Sequence, residues 1–101
     1  MNRAAIYARA SSTGDRQSTE RQVADLKRYA ETAGLEVVAV YEEKASGAKA
    51  DREQLAECVA FLKDGGAQHL LVSELSRLGR SLRQVHEIIE DLTNVDIDIH
   101  F

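Results

Sequence analysis

The sequence predicts an α/β domain built on a four-stranded, mainly parallel sheet with helices on both faces, and three observations carry that prediction. Four apolar or alternating runs of strand length take turns with three segments whose apolar residues recur at helical spacing. Such alternation builds βαβ units, whose right-handed crossovers keep the strands parallel. Boundary signals fall between the segments: Thr19-Glu20-Arg21-Gln22 and Ser81-Leu82-Arg83-Gln84 have the capping-box form, and Gly34 and Gly65-Gly66 stand where helices stop. At 101 residues the chain forms one domain with a single modest core.

Taken in order, Ala4-Ala5-Ile6 runs into Tyr7-Ala8-Arg9-Ala10-Ser11 as a short buried strand that breaks into the polar residues 12–15. Strand alternation puts Tyr7, Arg9 and Ser11 on one face and the small Ala8 and Ala10 on the other. Thr19 opens a helix with Val23, Leu26, Tyr29, Ala30 and Ala33 on its apolar face. Residues 35–41, β-branched and mostly apolar, predict a second buried strand, followed by the small-residue loop 44–50. Asp51 caps the next helix, whose Leu55, Cys58, Val59 and Leu62 face the core; the lone Cys58 is thereby a core filler, not a reactive thiol. Residues 69–72 form the third strand and 73–80 the loop after it. Ser81 starts a third helix with Leu82, Val85, Ile88, Ile89 and Leu92 on one face, and residues 95–101 alternate as a strand with one face not yet covered.

Composition excludes several classes. Apolar content of 44% with 30% charged residues is that of a globular protein, and no apolar run reaches membrane-spanning length. With Met1-Asn2-Arg3 opening straight into a strand there is no room for a signal peptide, and the expected location is the cytoplasm. His69, His86 and His100 are scattered over different elements, with no cysteine or carboxylate at ligand spacing, so neither a metal nor a cofactor is expected. The net charge of −4 argues against a general nucleic-acid coat, because nonspecific DNA affinity comes from cations displacing phosphate counterions. The basic residues are concentrated all the same: Arg9, Lys44, Lys49, Arg52, Arg77, Arg80 and Arg83 fall in three loop regions.

In a parallel sheet every loop leaving a strand's carboxyl end lies on one edge, where ligands bind. That geometry gathers Arg9, Ser11, Ser46, Arg52, Arg77 and Arg80 into one constellation. Arginines converging on a hydroxyl suit a phosphate or carboxylate, and phosphoryl transfer needs an in-line nucleophile and fixed positive charge more than anything else.

The motifs Tyr7-Ala8-Arg9-Ala10-Ser11, then Gln17 and Gln22, then Lys44-Ala45-Ser46-Gly47 with Asp51-Arg52, then Ser76-Arg77-Leu78-Gly79-Arg80-Ser81, resemble the catalytic domain of the serine site-specific recombinases, the resolvase/invertase group. The resemblance runs through essentially the whole chain in order. It implies that Ser11 attacks a DNA phosphodiester, leaving a 5′-phosphoserine linkage and a free 3′-hydroxyl, and that the reaction reverses on an exchanged strand. It implies Arg9, Arg52, Arg77 and Arg80 as the phosphate clamp, Gln17, Gln22, Ser46, Asp51 and Tyr7 as supporting polar residues, and no metal. The family commonly has an aspartate where Ser76 stands, which removes a carboxylate from that position and leaves Glu74 as the nearby acid.

The resemblance further implies DNA as partner, a homo-oligomer passing from dimer to synaptic tetramer, and a dimerisation helix and DNA-binding domain that lie beyond residues 1–101. Two other readings use the same fold: a non-catalytic synapsis or regulatory module, for which Ser11 would be dispensable, and a phosphatase-like domain acting on a small molecule, which would turn over phosphate esters directly.

Overall fold

A computed structural model describes residues 2–10, 16–44, 53–73 and 82–100. The elements are β1 (Arg3–Ala10), α1 (Arg16–Ala33), β2 (Glu36–Lys44), α2 (Glu53–Lys63), β3 (His69–Leu71), α3 (Leu82–Thr93) and β4 (Asp98–His100). The sheet order is β2-β1-β3-β4 and every pairing is parallel. Ala4, Ile6 and Leu71 pack with Leu26 and Ala30 of α1 on one face. Ala5, Tyr7, Leu70 and Val72 pack with Leu55, Cys58 and Leu62 of α2 and Val85 and Leu92 of α3 on the other. The expected α/β architecture with helices on both faces is the one observed. The arrangement is what right-handed crossovers dictate: the chain steps one way across the sheet over α1 and back the other way over α2 and α3.

Central β1 is buried on both sides, with residues 4–8 fully inaccessible, and its alanines let helices approach from either face. The second strand departs from expectation. It is not buried on both faces but forms a sheet edge, leaving Val38 at 40% and Val40 at 37% exposure. Ala4 pairs with Val37 and Ala5 with Ala39, so Val38 is the extra residue of a bulge. The bulge turns Val37 to the α1 side and Ala39 and Tyr41 to the opposite one. The strand also runs on to Lys44, which brings Glu43 into the sheet.

Two further expectations are corrected. Helix α1 starts at Arg16, and Thr19 lies inside it, 1% exposed, rather than capping it. The Gln22 carboxamide bonds the backbone of Arg9. At the C-terminus, β4 is confined to Asp98–His100, because residues 94–97 form the turn that closes α3. Ile97 N–H donates to the Leu92 carbonyl at 3.0 Å and Asp96 N–H to that of Thr93 at 3.1 Å, with Asp96 at φ 62°. That is a Schellman motif, and the other two helices end the same way, on Gly34 at φ 74° and Gly65 at φ 87°. The Asp51 and Ser81 caps and the exposed Phe101 lie outside the described residues.

Cys58 is fully buried, as its helical spacing predicts, and burial pushes its thiol up to about 12.

Candidate active site at the carboxyl edge

The chain leaves β1 to one side of the sheet and β3 to the other, so the topological switch point falls between these two strands, where open α/β sheets bind their ligands. Their register covers only Ala4 to Ile6 against His69 to Leu71. Beyond it the strands part, and Val72 N–H turns to the His100 carbonyl at 3.0 Å. Among the described residues the peptide of Arg9 has no strand partner on that side, and a buried backbone group must find another. Gln22 of α1 supplies it: Arg9 N–H donates to Oε1 at 3.2 Å, and Nε2 donates to the Arg9 carbonyl at 3.0 Å. Ser73, immediately past β3, donates its hydroxyl to the same Oε1 at 3.3 Å. One carboxamide therefore bridges the split between the strands.

Arg9 and Gln22 are each 7% exposed. A guanidinium this enclosed calls for an anion facing it, since desolvating a charge without a partner costs several kcal/mol or more.

On the α2 side, Tyr7 donates its hydroxyl to Glu43 Oε1 at 2.6 Å. The same carboxylate accepts Gln54 N–H on Oε2 at 3.0 Å and Leu55 N–H on Oε1 at 3.3 Å. Glu43, 4% exposed, therefore caps α2 from the neighbouring strand and locks the start of that helix to β1. Sequence reasoning missed this role. The only signal was an acidic residue at a strand's end ten positions before the helix, and local cap patterns do not register it.

A third cluster joins two of the three histidines, which lie on different elements as expected. Because β4 lies beside β3, His69 Nδ1 sits 3.0 Å from His100 Nε2, and Tyr29 of α1 bonds His100 Nδ1 at 2.8 Å. A pocket of about 270 Å³ lies between this group and the switch point, lined by Asp25, Leu26, Tyr29, Ser73 and His100. Among the described residues no group of three or more histidines, cysteines or carboxylates could hold a metal ion, and no helix is long and apolar enough to cross a membrane.

Of the residues expected at the site, the fold places Tyr7, Arg9 and Gln22 at the carboxyl end of β1. Ser11, Ser46, Asp51, Arg52, Ser76, Arg77 and Arg80 lie outside the described residues; Gln17 is in the first turns of α1, its side chain likewise undescribed.

Comparison with known proteins gives a consistent answer. The family model described as the resolvase N-terminal domain matches residues 4–101. A DNA-invertase of Escherichia phage P1 is 40% identical over 84 residues, covering 82% of this chain and 43% of that protein. A resolvase of Clostridium perfringens (strain 13 / Type A) is 36% identical over 84 residues, covering 83% and 40%. The chain thus spans less than half the length of these relatives. Among solved structures, the C-terminal catalytic domain of ISC1926 TnpA, an IS607-like serine recombinase, superposes with a TM-score of 0.88 at 31% identity, covering 97% of this chain and 68% of that one. The N-terminal catalytic domain of TP901-1 integrase gives 0.82 at 33%, covering 97% and 75%.

Proposed function

The chain belongs to the resolvase family, and on that premise we propose that it is the catalytic domain of a site-specific DNA recombinase working through a serine nucleophile. The observation that carries this reading is the enclosed Arg9 at the switch point, its peptide held by Gln22 two residues before Ser11 in the chain. In the proposed step the Ser11 oxygen attacks the scissile phosphorus in line. The bond from phosphorus to the 3′ oxygen breaks, the hydroxyl proton is lost and the 3′ oxygen gains one. The products are a 5′-phosphoserine linkage and a free 3′-hydroxyl, and religation after strand exchange runs the same step backwards.

Arg9, Arg52, Arg77 and Arg80 hold charge where the phosphorane oxygens develop it, which is worth most in a preorganised, water-poor site. Ser46, Gln17, Gln22, Asp51 and Tyr7 support that clamp. The net charge of −4 supports a division in which most DNA affinity comes from a separate domain, reached through a dimerisation helix, and the working form is a dimer that pairs into a synaptic tetramer. The cytoplasm is the compartment that holds such a substrate.

The test is to trap the protein of the complete reading frame on a nicked or suicide DNA substrate in excess chelator and map the DNA-linked peptide. A Ser11 adduct that Ser11→Ala abolishes and Ser12→Ala retains is expected. An adduct on Ser12, or strict Mg²⁺ dependence, would overturn the mechanism; no adduct at all would favour a non-catalytic module.

A further inference from the structure

Ser73 belongs to none of the motifs that define the family resemblance, yet it stands where the two halves of the site meet. Strands β1 and β3 separate beyond Ile6 and Leu71. The chain emerging from β1 reaches Ser11 two residues after Arg9, and the chain emerging from β3 reaches Arg77 four residues after Ser73. Across the described structure at this split, the Gln22 carboxamide holds the Arg9 peptide on one side and receives the Ser73 hydroxyl on the other.

We infer that Ser73 is a positioning residue: acting through Gln22, its hydroxyl fixes the Arg9 peptide and couples the segment bearing the nucleophile to the segment bearing the arginines. Without the hydroxyl, Gln22 Oε1 loses the donor on its β3 side and the carboxamide gains torsional freedom about its last side-chain bond, where rotation is broad and shallow. The Arg9 N–H then spends more time unbonded. Half-buried Ser73 also lines the pocket beside Tyr29 and His100, so its side chain is not enclosed on every side. This makes threonine a fair substitute that keeps the hydroxyl, and valine its match in shape that lacks one.

The functional half of this inference rests on the recombinase reading; the structural half does not, and the two are tested separately. In the first experiment, amide hydrogen exchange at Arg9 is measured for wild type, Ser73→Thr and Ser73→Val, with thermal melts to verify folding. Exchange about fivefold faster in Ser73→Val than in Ser73→Thr is expected, the size of one neutral hydrogen bond lost. Equal exchange in the two would overturn the tether whatever the protein does to DNA.

In the second, the protein of the complete reading frame is assayed for single-turnover cleavage and for site affinity. Ser73→Val should cleave about fivefold slower with affinity unchanged, Ser73→Thr should stay within about twofold of wild type, and Ser73→Val should add nothing in a Gln22→Ala background. Wild-type cleavage with Ser73→Val equally fast, or a Ser73→Val defect that persists undiminished in Gln22→Ala, would overturn the positioning role. A wild type that does not cleave refutes the recombinase reading and with it the catalytic half of this inference.

Discussion

Replacing Tyr7 by phenylalanine removes a single oxygen from the fully buried ring and, with it, the 2.6 Å hydrogen bond to Glu43. The ring keeps its packing, so no cavity forms and the cost is at least that of this bond. A hydrogen bond to a charged acceptor contributes about 1.5–3 kcal/mol. Glu43 retains the Gln54 and Leu55 N–H groups, so its carboxylate is weakened but not stranded. We therefore expect Tyr7→Phe to destabilise the domain by about 2 kcal/mol. Unfolding entropy for a chain of 101 residues amounts to roughly 0.2 kcal/mol per degree, which makes the fall in Tm about 10 °C.

The assay is urea and thermal unfolding followed by circular dichroism, with Glu43→Gln and the double variant alongside. Glutamine keeps the shape but withdraws the charge facing the helix N-terminus and the hydroxyl, so Tyr7→Phe should cost about 1 kcal/mol less in that background than in wild type. A Tyr7→Phe cost below about 0.5 kcal/mol, or one that is unaltered by Glu43→Gln, would refute the idea that one carboxylate joins β1 to α2.

Asp96→Gly should raise stability by about 0.5–1 kcal/mol in thermal melts, since left-handed backbone at φ 62° costs a residue with a Cβ more than glycine's added unfolded-state entropy offsets, whereas Asp96→Ala should lower it. Cys58 should resist iodoacetamide in the folded domain and react only on unfolding, because burial holds its thiol at about 12. The raised folded value also fixes the sign of a pH effect: the contribution is whole below the unfolded thiol range near 8.5 and is lost as pH rises towards 12, so alkaline titration should erode stability, and Cys58→Ala should remove that slope. Arg77→Ala or Arg80→Ala in the protein of the complete reading frame should slow DNA cleavage at least tenfold while leaving site binding nearly intact, checked by suicide-substrate kinetics beside gel shifts; a parallel loss of binding would make these arginines affinity contacts.

Periodicity carried most of the architecture because each buried face repeats locally: Leu55, Cys58 and Leu62, or Val85 and Leu92, announce a helix whatever surrounds it. Arg9, Tyr7 and Gln22 were legible for a related reason, being set by strand alternation and by motif. What escaped depends on which strands lie side by side. Residues 35–41 are apolar enough for a central strand, and only the order β2-β1-β3-β4 makes them an edge. His69 and His100 meet because β4 docks beside β3, and Glu43 reaches α2 from a strand that composition alone would end earlier. Thr19 shows the limit of local patterns: the four-residue form of a capping box also fits a buried helix turn, and the partner Gln22 chooses is a strand end thirteen residues away.

The three turns that lead from helix back to strand consist of two, five and four residues, each closed on a left-handed residue, whereas the segments from strand to helix run to five, eight and ten. Every tight closure is thus at the amino edge of the sheet, while Arg9 and Ser73, held by Gln22, lie at the opposite edge. For anyone altering this domain the consequence is practical: an insertion at Gly34, Gly65 or Asp96 would break the stop that returns each helix to the sheet. The amino ends of the strands are thus where chain length is least free to change.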